Sequence, residues 1–331
     1  MSAVVVFIIF AICLIIAIPI SISLGIVAVL PGAFDASFTA SAGYVIRSMV
    51  GGIDSFPLLA VPMFVLAGIL MAHGKISEKL FDVFVYFLGN KRAGIPCAVI
   101  ITCLFYGAIS GSAPATVAAV GSMTIPLLIE LGYEKDFSTA IVAVAGGLGV
   151  IIPPSIPFIM YAMATGESVS DLFLAGIVPG MMISALLIFY AYYYCRRHGE
   201  DREKIQAKMD QLKTKGFVNI LKESIWALLS PVIVLGCIYS GVASPTEAAV
   251  ISVFYSLFVS LFIYKSIKVK QIWGIMVEAM KTYAPILFIL ATSTAFSRVL
   301  TLMQVPQDVS AWIMTHFSNE IVLLIVINVV L

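Results

Sequence analysis

Two stretches of this sequence place backbone-freeing residues where chemistry could use them. The first is Gly107–Gly121, GAISGSAPATVAAVG, and the second is Gly146–Pro157, GGLGVIIPPSIP. Proline has no N–H to give the carbonyl four residues back, so Pro114 is expected to leave the Ser110 carbonyl without its helical partner. Gly111 permits a sharp reversal, in a conformation that a Cβ would penalise. Ser112 is suited to cap a following helix, whose N-terminus carries partial positive charge. In the second stretch Pro153, Pro154 and Pro157 strip partners from the carbonyls of Gly149, Val150 and Pro153, and residues before proline avoid helical backbone. Oxygens freed in this way coordinate a hard cation such as Na⁺, while N–H groups at a helix start receive an anion. The plainer readings are a small-residue face for tight packing and a simple proline kink. Packing alone does not call for a proline and Ser-Gly-Ser together, nor a kink for three prolines beside three glycines, so both stretches read as parts of a site.

Other candidates carry less. Ser244-Pro245-Thr246-Glu247 fits a helix capping box, with Ser244 as cap and Glu247 reaching back, and Glu167–Asp171 reads the same way. Arg47 lies in an amphipathic stretch and Arg298 near the end of an apolar span, where it could snorkel or meet a substrate or partner subunit. His73, His198 and His316 are isolated, and the five cysteines form no CxxC pair and read as apolar filler. The sequence has no HExxH, GxSxG or Walker loop and no carboxylate pair within a span, which argues against an enzyme or an ATP-driven pump.

The elements that must position these residues are membrane helices. Hydrophobic residues make up 61% of the chain and charged residues 11%, too few charges to cover a soluble protein of this length, and a net charge of +1 argues against a nucleic-acid partner. Apolar spans are expected at Ala3–Leu30, Pro57–Ala72, Phe137–Ala164, Leu172–Cys195, Ile225–Tyr239, Glu247–Tyr264 and Tyr283–Leu302. Two shorter arms, Ala93–Ile109 and Ala113–Ile129, flank Ser110-Gly111-Ser112. Each is about 25 Å long as a helix, just short of the hydrocarbon thickness, and the polar tip cannot face lipid, so a re-entrant hairpin over 93–129 is expected. The span 137–164 is expected to unwind at its prolines. A last span begins near Ile321 and reaches Leu331 without a polar flank, so the sequence is expected to stop inside a helix.

Seventeen of the 19 lysines and arginines fall on one side of this arrangement, which makes that side cytoplasmic. The arms do not alter that count, since two crossings and none return the chain to the same side. Arg196–Glu223 carries Ile205, Met209 and Leu212 at helical spacing and reads as a solvated or interfacial helix linking two halves. Pro62–Ala67 and Pro285–Ala291 are alike and lie in opposite orientations, as in the inverted repeats of secondary transporters. The expected organisation is a first repeat over 1–195, a cytoplasmic linker helix over 196–224, and the start of a second repeat over 225–331.

Several motifs in the same order resemble the large membrane subunit of tripartite ATP-independent periplasmic (TRAP) transporters: FPLLAVPMFVLAG (56–68), YGAISGSAPATVAAVGSMTIP (106–126), GLGVIIPPSIPFIMYA (147–162), LFLAGIVPG (172–180) and SGVASPTEAA (240–249). The resemblance covers nearly the whole chain. It implies an all-α, polytopic, inverted-repeat protein of the bacterial inner membrane that works as an elevator. It also implies import of a small organic anion delivered by a periplasmic binding protein, coupling to Na⁺, and a small four-helix membrane subunit as partner, with no other cofactor. By that likeness Ser110, Gly111, Ser112 and Thr116, with Gly147, Gly149, Val150, Pro153 and Ser155, form the first cation half-site. Substrate contacts are expected from Ser112, Ala113, Pro154 and Ser155, and from Arg298, which stands where the family leads one to expect an aromatic residue. The second hairpin and second broken helix would lie beyond Leu331, so this stretch alone is not expected to transport. The alternatives are a Na⁺/dicarboxylate symporter that needs no binding protein and, from a different class, an intramembrane enzyme or assembly scaffold.

The charge pattern makes a direct prediction. In intact cells expressing the full-length protein, Lys204→Cys and Lys268→Cys remain unlabelled by a membrane-impermeant maleimide and react only after permeabilisation. Efficient labelling from outside would overturn the topology.

Overall fold

The computed structural model describes residues 2–35, 38–214, 216–316, 324–325 and 328. Among them every regular element is helical, and no strand occurs. The helices run α1 (Ala3–Ile15), α2 (Ile20–Phe34), α3 (Ala42–Ile53), α4 (Ala60–His73), α5 (Ile76–Leu88), α6 (Gly94–Ser110), α7 (Ala113–Glu130), α8 (Lys135–Gly146), α9 (Ile156–Thr165), α10 (Val169–His198), α11 (Arg202–Thr214), α12 (Phe217–Tyr239), α13 (Pro245–Phe258), α14 (Val269–Leu302) and α15 (Val305–His316). Among the described residues, five helices are long and apolar enough to cross a membrane: α7, α10, α12, α13 with its one-turn π extension to Ile263, and α14. In such a setting a helix is the natural element, because it satisfies its own backbone.

The chain divides into two compact units, residues 1–55 with 284–331, and residues 56–283. The first unit has an apolar core of Val6, Leu24, Val27, Val45, Phe296 and Val299, with Phe10 stacked on Phe296 at 6.1 Å. The second packs α4 on α13, α7 on α8, and α5 on both α6 and α12. Small buried residues, Ala60 and Ala67 on α4 and Ala248, Ala249 and Ser252 on α13, let the α4 and α13 backbones approach closely.

Three sequence expectations change. The span expected over Ala3–Leu30 is broken into α1 and α2, with Ala17 at φ +62° and Pro19 capping α2. α1 closes at the left-handed Ala17, where the Ala17 and Ile18 N–H groups bond back to the Leu14 and Cys13 carbonyls at 3.0 Å, and Pro19 follows where no N–H is needed. Conversely, Tyr283–Leu302 is only the second half of the 34-residue helix α14, in which Pro285 is accommodated. A lone proline costs one bond and need not end a helix that packs along its length. The charged segment after α10 is not merely solvated: Ile205, Met209 and Leu212 of α11 are buried in the same core as the hairpin helices α6 and α7. The span expected from Ile321 to Leu331 lies almost wholly outside the described residues.

A polar clamp holds the feet of α6 and α7. The Glu200 side chain is 2% exposed. Its carboxylate accepts from the Ala93 N–H at 3.0 Å, just before α6, and from the Tyr133 hydroxyl at 2.7 Å, just after α7. Arg202 donates to the same carboxylate at 2.9 Å and to the Asn90 carbonyl at 3.2 Å. Burial, then the bond to Glu200, pushes the Tyr133 phenol above its ordinary range, so it stays a donor. Glu200→Ala would leave a buried N–H and a buried hydroxyl without partners, at about 1–3 kcal/mol each. We expect Glu200→Ala to lower stability by about 3 kcal/mol and Tyr133→Phe by about 1 kcal/mol, read from thermal unfolding in detergent at one scan rate. Equal, small effects would remove the clamp from the account.

Candidate functional site

The two proline- and glycine-rich stretches meet inside residues 56–283. α6 ends at Ser110, and the chain reverses at Gly111, whose φ is +62°. Ser112 then takes extended backbone and caps α7, accepting from the Ala115 N–H at 3.5 Å. On the other side α8 tightens into a 3₁₀ turn over Gly147–Val150, and helix resumes at α9 after Ile151–Ser155. Ser155 caps α9 in the same way, with nearly the same backbone angles as Ser112. The two caps share a pattern, Ser112-Ala113-Pro114 and Ser155-Ile156-Pro157, that the sequence carried openly. The tip and the break are joined by a backbone hydrogen bond, from the Ile156 N–H to the Gly111 carbonyl at 3.3 Å.

Pro114 therefore has a different role from the one expected. It sits in the first turn of α7, where no N–H is required, and α6 has already ended at Ser110. The Ser110 carbonyl loses its helical continuation through the reversal at Gly111 and not through Pro114. Val150 also differs: its carbonyl accepts from the Ser155 hydroxyl at 2.6 Å. That bond returns a partner to a group that the prolines had stripped.

Between tip and break lies a cluster of uncharged oxygens. The Ser110 and Thr116 hydroxyls are 3.1 Å apart and wholly buried. The Ser112 carbonyl accepts from the Thr116 hydroxyl at 2.9 Å and from that of Ser110 at 3.4 Å. Thr116 is the hub of this cluster, although nothing in its spacing marked it. Two further contacts were not legible in the sequence. The Tyr106 hydroxyl donates to the Gly68 carbonyl at 2.7 Å, which ties α6 to α4. Gly68 itself lies where a Cβ would stand 2.8 Å from that of Ser110. Among the described residues no group of three His, Cys, Asp or Glu side chains could hold a metal ion, and the polar atoms gathered here are hydroxyl and carbonyl oxygens.

Glycine makes the approach possible. A Cβ on Gly107 would stand 2.6 Å from Gly149 Cα, and one on Gly149 2.5 Å from the Thr116 hydroxyl. One on Gly111 would stand 2.9 Å from the Pro154 carbonyl oxygen. Gly147 has open space at that position. Ala113 is the first residue of α7, and Pro153 and Pro154 lie buried in the turn before α9. Arg298 belongs to the other compact unit, exposed on α14 with its guanidinium beside Gly51.

Beside α7 is a cavity of about 420 Å³ that touches Pro114 and Ala115 in its first turn. His73 and Glu278 line it and pair at 2.9 Å, a partner for His73 that the sequence did not reveal.

The packing predicts opposite outcomes at neighbouring glycines. Gly149→Ala forces a methyl group against Thr116 and should cost about 2 kcal/mol or more, whereas Gly147→Ala should stay within about 0.5 kcal/mol. Thermal midpoints of the two variants, measured side by side, check this. Equal midpoints would show that the break is not held against the tip.

Residues 7–331 match the family described as "Tripartite ATP-independent periplasmic transporter, DctM component". The isethionate TRAP transporter permease protein DctMQ of Oleidesulfovibrio alaskensis is 39% identical over 97% of this chain and 50% of its own length. The C4-dicarboxylate TRAP transporter large permease protein DctM of Pseudomonas aeruginosa is 37% identical over 84% of this chain and 64% of its own. The protein of the same description from Rhodobacter capsulatus is 32% identical over 100% of this chain and 77% of its own. The chain thus spans between half and about three quarters of these relatives.

Proposed function

The chain belongs to the DctM component family of tripartite ATP-independent periplasmic transporters, and from that premise we propose that it supplies one half of a Na⁺-coupled path for a small organic anion. It is a multi-pass protein of the bacterial inner membrane and a transporter subunit, not an enzyme. The observation that supports the proposal is the buried oxygen cluster of Ser110, Ser112 and Thr116 where hairpin tip meets helix break. Na⁺ would be held there by hydroxyl and carbonyl oxygens from Ser110, Gly111, Ser112 and Thr116 and from the turn at Gly147, Gly149, Val150, Pro153 and Ser155. No carboxylate competes for it, which suits an ion that must be released each cycle.

The anion would meet the starts of α7 and α9, where Ser112, Ala113, Pro154 and Ser155 lie and two helix dipoles present positive ends. The cavity beside the first turn of α7 is large enough for a two- to four-carbon acid. The names of the relatives point to isethionate and C4-dicarboxylates as the substrate classes to try first. A periplasmic binding protein would deliver the solute and a small membrane subunit would complete the permease, with the hairpin block carried between the two faces of the membrane. Arg298, in the other unit, would serve the solute or the small subunit.

Na⁺ binding can be read without knowing the solute. In the full-length protein with its partner subunit, Na⁺ should raise the thermal midpoint relative to K⁺, by a stabilisation of about 1.4 kcal/mol at ten times Kd. Thr116→Val should abolish that difference, and Pro114→Ala should keep it, since Pro114 frees no carbonyl. Identical midpoints in Na⁺ and K⁺ for the parent protein, or a full Na⁺ effect in Thr116→Val, would refute the site. Uptake of isethionate and of succinate by proteoliposomes, with and without the binding protein, then tests delivery and substrate class.

A further inference from the structure

We propose that the groove between α10 and the start of α6 is a binding site for an anionic phospholipid of the cytoplasmic leaflet. The groove has a volume of about 500 Å³ and lies wholly within residues 56–283. Its lining is mostly apolar and includes Ile101 of α6 and Ala185 and Phe189 of α10. Lys91 and Arg92, from the turn before α6, and Tyr192, toward the end of α10, complete the lining. Lys91 and Arg92 are exposed and form no ion pair among the described residues, and no carboxylate lines the groove.

The order of residues along α10 matches the order of chemistry along a lipid. Ala185, Phe189, Tyr192 and Arg196 recur at three- and four-residue spacing and share one helix face. The sequence along that face is small apolar, aromatic, interfacial tyrosine, cation. From Ala185 to Arg196 the helix rises about 16 Å, close to half the hydrocarbon thickness of roughly 30 Å. An acyl chain in the groove would therefore bring its phosphate level with Lys91, Arg92 and Arg196. Tyrosine at the interface and basic residues just beyond it are the usual frame of an anionic headgroup site.

Charge selects this occupant over a protein helix. A helix filling the groove would cover apolar walls but leave the two cations at the rim without counter-charge. A phosphodiester satisfies both ends at once. The same turn, Asn90 to Ala93, is bonded to Glu200 and Arg202 in the clamp at the hairpin's foot, so a headgroup on Lys91 and Arg92 would sit directly against the hairpin's anchorage. This inference needs only membrane location and does not rest on Na⁺ coupling.

The test titrates the full-length protein with its partner subunit, in detergent, with phosphatidylglycerol and with phosphatidylcholine, and counts bound lipid by native mass spectrometry. Phosphatidylglycerol should bind more tightly, and Lys91→Gln with Arg92→Gln should weaken it by about 30-fold while leaving phosphatidylcholine unchanged. Ala185→Trp, which fills the groove and keeps the cations, should displace both lipids. Glycerol 3-phosphate alone, a headgroup without chains, should not compete. Equal affinity for the two lipids, or full phosphatidylglycerol binding in the double glutamine variant, would overturn the proposal. So would competition by glycerol 3-phosphate, which would mark a plain phosphate site, or photo-crosslinking from position 185 to the partner subunit, which would mark a protein contact.

Discussion

Backbone polar groups buried in an apolar slab must find partners within the protein, and the site described here depends on that constraint. A helix meets the demand residue by residue, so every departure from helix must be repaid locally. Two departures within one unit, at Gly111 and at Ile151–Ser155, face each other. The Ile156 N–H bonds the Gly111 carbonyl, and Ser112 and Ser155 cap the helices that follow. The tip thus gives the break an acceptor, and the hairpin's own hydroxyl and carbonyl oxygens collect around Thr116. The oxygen cluster is the remainder of a satisfaction problem, which is why it consists of hydroxyls and a carbonyl.

Close approach of the breaks requires the absence of side chains at particular points. Gly107, Gly111 and Gly149 occupy positions where a Cβ would meet the opposite backbone or the Thr116 hydroxyl. Only Gly111 among them also needs a left-handed conformation, so its glycine answers a torsional demand as well as a steric one. The clustering of glycine with proline thus has two separate causes, reversal at the tip and proximity at the break.

Legibility in the sequence followed the physics of each signal. Helical class, the ends of α6 and α7 within about a residue, and the unwinding near Pro153 follow from local composition and backbone restriction, and local rules read them well. Pro114 shows the limit. Its missing N–H was visible, but whether that frees a carbonyl depends on whether the helix was still continuing, and Gly111 had already ended it. Similarly, Pro19 follows a helix that Ala17 has already closed and Pro285 sits inside one that continues, although both are single prolines in apolar runs. Contacts distant in sequence left no local trace. Tyr106 to Gly68, His73 to Glu278, and Glu200 to Ala93 and Tyr133 join residues that no periodicity relates.

The Glu200 clamp connects the two scales. The oxygen cluster at the tip depends on the placement of α6 against α7, yet both arms of the hairpin end at their feet in turns, Asn90–Ala93 and Leu131–Glu134, that have little regular structure of their own. A carboxylate that accepts from both turns fixes their spacing, and the burial of Ile205, Met209 and Leu212 locks that carboxylate's own segment into the same core. Spacing at the feet sets spacing at the tip because the helices between them are stiff. A charged segment read from sequence as a solvated connector is therefore part of what keeps the distant oxygens in register. If the hairpin is carried between two sides of a membrane, this segment must travel with it.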